Sequence, residues 1–137
     1  MAQNTSPIFT QTPRLGFGFI TSTANPSFDM TSGESASLFT AGPSGSYVTK
    51  MRLKPSGSTA ASVFRVFLNN GGSTTVAANN ILFAELSVPA ITAIQTLAQN
   101  DFEIPINIAI PVNYALYGTT GTALGGGYDI VTVAGDY

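Results

Sequence analysis

The sequence predicts an all-β protein: a single-domain antiparallel β-sandwich, jelly-roll-like, with an extended N-terminal arm. A chain of 137 residues has the length of one domain and can bury its own core. About eight short runs are rich in β-branched and aromatic residues, and clusters of Gly, Pro, Asn and Ser separate them. Such spacing is typical of sandwiches and barrels, and eight strands suit a jelly roll.

Residues 1–14 are interpreted as the arm and residues 15–137 as the sandwich domain. The arm shows no alternation of apolar and polar residues, and each of its two prolines pushes the preceding residue into an extended conformation. Its apolar side chains have no evident home in the same chain, so we expect strand addition to a neighbour's sheet edge; the alternative is a disordered tail. The candidate partner contacts of the arm are Ile8, Phe9, Pro13 and Arg14.

The predicted strands follow the arm in order. Between the fifth and the sixth of them, residues 89–101 fit either a short helix or an irregular strand, and the sequence leaves both open. The strands are residues 15–22, 36–41, 46–54, 62–69, 80–88, 102–110, 113–120 and 127–134.

The run FEIPINIAI, residues 102–110, shows the clearest alternation. Phe102 and four isoleucines fall on one face of a strand, so that face is predicted to be core. Pro105 and Pro111 cannot donate a ladder hydrogen bond. The strand is therefore predicted to lie at a sheet edge or to carry a bulge.

Arg65 lies in the middle of the apolar run SVFRVFLN. If this run pairs antiparallel with the next predicted strand, with Asn69 opposite Ile81, Arg65 lies directly opposite Glu85. A cross-strand ion pair of this kind is worth about 0.2–1 kcal/mol. The alternative is that Arg65 faces a partner subunit.

Lys50, Arg52 and Lys54 form a basic stripe, because alternating residues of a strand project from one face while Met51 and Leu53 project from the other. The stripe is either a solvated face, an edge strand protected by charge, or a docking site for an acidic protein. Nucleic acid is disfavoured, because three cations in a chain of net charge −2 release few counterions. All three cations are candidate partner contacts.

Composition indicates a surface that neighbours cover. Only 9% of residues are charged, against about 25% in an average domain. A weakly charged exterior gives little repulsion between copies and favours association. The alternative is a Ser/Thr-rich soluble monomer.

The residue inventory excludes most familiar chemistry. The chain has no Cys, His or Trp, so disulfides, thiolate or imidazole metal sites and histidine catalysis are absent. Asp101 and Glu103 share a strand face like the carboxylate pair of a glycosidase, but nothing in the sequence raises either pKa. We expect no catalytic residues, no metal and no cofactor, and we expect the protein not to be an enzyme.

Five stretches together carry a resemblance to a known class of proteins. They are NTSPIFTQTP, LFTAGPSGSYVTKMRLKPSGSTAASVFRVFLNNG, ANNILFAELSVPA, IPINIAIPVNYALYGTTGTA and VTVAGDY. Over almost its full length the chain resembles the small β-rich virion proteins of tailed bacteriophages, and most of all their capsid decoration, or cement, proteins.

The resemblance implies a jelly-roll or related sandwich, trimers on threefold or quasi-threefold positions of the head, and arms that staple adjacent capsomers. The implied partner is the major capsid protein, and the implied location is the capsid surface of the virion. The alternative is a receptor-binding knob of a tail fibre or tail tip that reads its target with the loops 69–80 and 119–127. The start of the chain lacks signal-peptide features and no apolar run could span a bilayer, so we expect synthesis in a host cytoplasm and no membrane contact.

Overall fold

The computed structural model describes residues 9–20 and 23–137, which form eight strands and one short 3-10 helix at Ala77–Asn79. Within these ranges no helix is long and apolar enough to cross a membrane. The strands are Thr12–Ile20 (β1), Ala36–Thr40 (β2), Ser46–Pro55 (β3), Ser62–Asn69 (β4), Asn80–Val88 (β5), Phe102–Ile110 (β6), Ala115–Thr120 (β7) and Tyr128–Asp136 (β8).

The strand pairings are nested, like those of one long hairpin whose two halves are distributed over two sheets. The first strand pairs with the last, the second with the seventh, the third with the sixth and the fourth with the fifth. Two further pairings, β3 with β8 and β4 with β7, complete sheet A (β1-β8-β3-β6) and sheet B (β2-β7-β4-β5). Every one of these pairings is antiparallel, so the predicted all-β sandwich is confirmed.

The core lies between the two sheets. Alternate residues of each strand point inward, as the pleat of a β-strand requires. The interior cluster includes Ile20, Leu38, Val48, Met51, Leu53, Phe64, Val66, Leu116, Tyr128 and Ile130.

Strand β6 has the position that its prolines predicted. It lies at the edge of sheet A, and its pairing with β3 shifts register between Val48 and Lys50, so it has both an edge position and a bulge. Pro105 is exposed there, and Asn107 takes a left-handed backbone conformation with φ 51°. The alternate isoleucines and Phe102 turn inward, which confirms the predicted core face.

The predicted ion pair between Arg65 and Glu85 is confirmed, with 2.9 Å between Arg65 Nε and Glu85 Oε1. The register at the loop end differs from the prediction, because Asn69 lies opposite Asn80 and not Ile81. A register shift further along the same pair of strands restores the predicted alignment before Arg65 is reached.

Arg65 does not face outward to a partner. The Phe28 ring covers its guanidinium, with 4.3 Å between Arg65 Cζ and the ring centroid, and the residue is buried. Phe28 belongs to the segment between β1 and β2, which hydrogen-bonds to sheet B at Thr120 and Asn80. One of the chain's few cations therefore serves as an internal contact between sheet B and this covering segment.

Residues 89–101 form neither of the two regular structures that the sequence left open. One tie to the sandwich is an isolated bridge in which Thr59 and Ile91 exchange backbone hydrogen bonds of 2.9 and 2.8 Å. Ile94 and Leu97 are exposed, so the apolar spacing in this segment does not mark a buried helical face.

The loop 69–80 is held by asparagine side chains. Asn69 donates to Asn80 at 2.7 Å and accepts from the backbone N–H of Gly71, while Asn70 pairs with Asn79. These local hydrogen bonds replace the strand ladder that the loop lacks. The loop therefore has a defined shape despite its length.

Candidate protein-interaction surface

Strand β1 turns its large side chains away from the core. Leu15, Phe17 and Phe19 are 57%, 76% and 50% exposed and alternate with Gly16 and Gly18, which face sheet B. A Cβ atom on Gly16 would overlap the carbonyl oxygen of Leu38, and one on Gly18 would overlap the Leu38 side chain. Because β2 approaches β1 so closely, only glycine fits on the inner side, and the bulky residues must occupy the outer side.

The outer side chains of β1 continue onto β8. Leu15 lies beside Val133 and Phe17 beside Val131, both of which are half-buried. We call this surface the β1 stripe, and it consists of Leu15, Phe17, Phe19, Val131 and Val133. Large exposed apolar surfaces of this kind mark interaction sites in soluble proteins.

A second apolar surface lies where the chain enters β1. Phe9, Thr10, Tyr47 and Tyr137 line a groove there, and Phe9 is 82% exposed. Thr10 lies so close to Gly135 that a Cβ atom on that glycine would overlap it. We call this surface the arm groove, because it lies at the junction between the predicted arm and the sandwich.

The structure locates most of the contacts predicted in the arm. Phe9 lies in the arm groove, and Pro13 is exposed near the start of β1, whereas Ile8 lies outside the described residues. Because β1 begins at Thr12, the sheet starts three residues earlier than the predicted boundary at residue 15.

Arg14 is engaged within its own chain. Its Nη1 atom lies 2.6 Å from Asp136 Oδ2, its Nη2 atom donates to the Thr40 carbonyl, and its guanidinium lies 5.2 Å from the centroid of the Phe39 ring. Ser46 donates a hydrogen bond to the same Asp136 carboxylate. Arg14 therefore fastens the beginning of β1 to the sandwich.

The pKa of Asp136 reflects two opposed effects. Burial tends to raise the pKa of Asp136, but hydrogen bonds from Ser46 and Arg14, together with the charge of Arg14, outweigh burial and lower it. The carboxylate is thus held in its charged form, which the ion pair requires.

The basic stripe shares the outer face of sheet A with the β1 stripe, and two of its three cations form ion pairs. Lys50 pairs with Glu103 at 3.0 Å and Arg52 with Asp101 at 2.5 Å. Lys54 donates to the Gln99 carbonyl and lies beside Asp129 in the β3–β8 register.

These positions and contacts bear on two interpretations of the basic stripe, as a charged edge strand and as a docking site for an acidic protein. The edge-strand interpretation is wrong, because β3 has β8 on one side and β6 on the other. Docking on an acidic partner has a weaker electrostatic argument, because carboxylates already pair with Lys50 and Arg52. The burial of Met51 and Leu53 confirms that the stripe and the core lie on opposite faces.

Asp101 and Glu103 have the environment of surface ion pairs. The hydrogen bond and the charge of Arg52 lower the pKa of Asp101, whereas a general acid needs a raised pKa. In the part of the chain that the structure describes, no group of three or more acidic side chains is arranged to hold a metal ion.

The sequence did not indicate that Leu15, Phe17 and Phe19 are exposed on the outer face of sheet A. An alternating run such as LGFGF gives no direct sign of which side faces the core. The available signal was the pair of glycines at alternate positions, because a glycine in a strand often marks close approach by another backbone.

No protein-family model matches this sequence, and no curated protein matches it significantly.

Proposed function

We propose that this chain is a structural virion protein that binds the outside of an assembled phage capsid and stabilises it by bridging neighbouring capsomers. The observation that carries the proposal is the arm groove, where Phe9 is almost fully exposed beside Tyr47 and Tyr137 at the point where the predicted arm joins the sandwich. Aromatic side chains of this kind are typical anchors of protein interfaces.

The charge distribution supports recognition by apolar contact. Four of the five Lys and Arg residues form ion pairs inside the chain, and the fifth, Lys54, lies beside Asp129. A surface on which most Lys and Arg side chains are already paired has little long-range attraction for an acidic partner. Binding through apolar and backbone contacts suits a permanent place in a protein shell.

The strand order supports the jelly-roll part of the proposal. In a jelly roll, eight strands form two Greek keys in two packed sheets. Pairing of first with last, second with seventh, third with sixth and fourth with fifth is what a wrapped hairpin of this type requires. The trimer and the major capsid protein as partner rest on the sequence resemblance alone.

The mechanism follows from mass action. A protein that binds the assembled shell better than free capsomers stabilises the shell in proportion to its occupancy. Contacts to two adjacent capsomers raise the effective affinity of each contact, because the second binding event is intramolecular. Many copies on one head would therefore resist its expansion or rupture together.

A second candidate function is the receptor-binding knob of a tail fibre or tail tip. The observation that favours it is the defined shape of the loop 69–80, which its asparagine hydrogen bonds hold in place. Rigid polar loops at one end of a sandwich are a common recognition surface.

The proposal is tested by adding the purified protein to heads that lack it and measuring how much co-sediments. Phe9→Ser is expected to weaken binding at least about tenfold, since losing a buried aromatic anchor typically costs more than about 1.4 kcal/mol. Leu97→Ser is the matched control, because Leu97 is also exposed but lies in the 89–101 segment. Equal binding of the two variants would contradict the arm groove as the contact, and absence of binding by the parent would contradict the proposed function.

A further inference from the structure

The four edge strands of the sandwich differ in how they are protected from pairing with another chain. Strand β6 carries Pro105 and a bulge, and β2 has only five residues and an interrupted register. Strand β5 is interrupted by a register shift and presents the charged Glu85. Prolines, bulges, charges and short length are the devices by which natural sheets avoid edge-to-edge association.

Strand β1 has none of these devices beyond its first three residues. It forms nine consecutive pairs with β8 without a register shift, and residues 15–20 contain no proline and no charge. The charge of Arg14 is already matched by Asp136. In the part of the chain that the structure describes, β1 is therefore the one edge strand that is long, regular and unprotected.

The sequence of β1 is nearly symmetric about Phe17. Phe17 is flanked by Gly16 and Gly18, and beyond these glycines lie the large apolar residues Leu15 and Phe19. An antiparallel copy of the strand centred on Phe17 would place large apolar side chains opposite large apolar side chains and glycine opposite glycine. Such a strand is complementary to itself.

From these observations we propose that β1 pairs antiparallel with β1 of a second copy of this chain, around a twofold axis that passes beside Phe17. The two A sheets then form one continuous eight-stranded sheet. Phe17 meets Phe17 of the second copy, and Leu15 meets Phe19 of the second copy. The β1 stripes of the two copies join into one apolar surface, and no like charges come together between residues 15 and 20.

The area available sets the strength of this pairing. A buried aromatic side chain contributes about 150–250 Å², so the exposed fractions of Leu15, Phe17 and Phe19 amount to roughly 350 Å² per copy. Both copies together offer at most about 700 Å² of side-chain surface, of which strand pairing covers only the flanks, and stable interfaces bury about 1,200–2,000 Å². The dimer is therefore weak in dilute solution and favoured where copies are concentrated.

This inference does not depend on the capsid proposal. It identifies a contact between copies, whereas the capsid proposal concerns the arm groove and a different partner. A twofold contact is also distinct from the threefold assembly that the sequence resemblance implies, so the oligomer number separates them.

Cysteine cross-linking tests the pairing in a chain that has no cysteine of its own. Across the twofold axis the two Cα atoms at position 17 are about 4.5–5.5 Å apart, within the range that a disulfide spans. Phe17→Cys is expected to give a disulfide-linked dimer under mild oxidation. Leu97→Cys, which is also well exposed but lies outside the strands, is expected to stay monomeric.

The register gives a second and stricter test. Leu15→Cys alone should not cross-link, because the two copies of position 15 are about 14 Å apart. A mixture of Leu15→Cys and Phe19→Cys should cross-link, since these positions face each other. Cross-linking of Leu15→Cys with itself, or no cross-linking of the mixture, would overturn the proposed register.

Sedimentation of the unmodified chain measures the association itself. We expect a monomer–dimer equilibrium between about 1 µM and about 1 mM, and Phe17→Lys should raise its Kd at least about tenfold because two cations would meet on the axis. Ile81→Lys, a matched change on the exposed side of β5, should leave the Kd unchanged. A monomer throughout this range, or a trimer that Phe17→Lys leaves intact, would contradict the pairing.

Discussion

Arg14 and Asp136 form an ion pair between the start of β1 and the end of β8, with 2.6 Å between Nη1 and Oδ2. Ser46 donates a hydrogen bond to the other oxygen of the same carboxylate, and the backbone N–H of Gln11 donates to the Asp136 carbonyl. The first strand is thus fixed at the point where the predicted arm leaves it. A truncation that removes the arm alone must therefore end before residue 11.

Asp136→Asn is expected to lower the free energy of unfolding by about 1–2 kcal/mol, because it leaves Arg14 without its anion and weakens the bond from Ser46. The loss is limited because the Arg14 side chain is 38% exposed and water screens the ion pair. Urea denaturation measures the change. The control is Asp129→Asn on the same strand, where the carboxylate is exposed, and equal losses in the two variants would contradict the assigned role of the pair.

The stability that Asp136 contributes should depend on pH in a defined direction. Its folded-state pKa lies below the ordinary value of 3.8, so the contribution is present above that value and is lost as the pH falls through the folded pKa. The stability difference between the parent and Asp136→Asn should therefore be constant at neutral pH and shrink below about pH 4. If the stability difference between the two proteins grew as the pH fell, the lowered pKa assigned to Asp136 would be contradicted.

Gly16→Ala should disrupt the junction between the two sheets. The added Cβ would overlap the carbonyl oxygen of Leu38, which belongs to a backbone that cannot easily move. We expect a loss of at least about 2 kcal/mol in unfolding free energy, in the range of overpacked interiors. Gly57→Ala is the matched control, because a Cβ there meets no atom within 4 Å. Similar stability of the two variants would show that β1 does not pack on β2 in this way.

Glu85→Ala should cost about 1–3 kcal/mol, because it leaves the buried Arg65 guanidinium without an anion beneath Phe28. Glu103→Ala removes an ion pair between two exposed side chains and should cost no more than about 0.5 kcal/mol. Adding Arg65→Met to Glu85→Ala should recover part of the loss, since the unpaired charge is then gone. Thermal and urea unfolding of the parent, the two single variants and the double variant measures these losses. A loss in Glu85→Ala no larger than that in Glu103→Ala would contradict the assigned role of Glu85.

The sequence predicted the elements that local chemistry determines. Alternation and turn residues indicated the eight strands, and the two prolines indicated an edge position for β6, because both signals act within a few residues. The Arg65–Glu85 pair was found although the predicted register at Asn69 was off by one residue. A bulge that the sequence does not reveal brought the strands back into alignment.

The features that depend on tertiary packing were not predictable in the same way. Leu15, Phe17 and Phe19 face outward only because β2 presses against Gly16 and Gly18, and that contact is made between the two sheets and not within one of them. Likewise, Lys50 and Arg52 are paired only because β6 and the segment before it bring Glu103 and Asp101 beside them. A single sequence does not show which strand will be the neighbour.

The proposed capsid role is tested by electron microscopy of phage particles with this protein present and absent. We expect regular density on the outer surface of the head, at seams between capsomers, that disappears when the protein is missing and returns when the purified chain is added. Density confined to the tail tip would favour the receptor-binding knob instead. No difference anywhere on the particle would contradict a structural role in the virion.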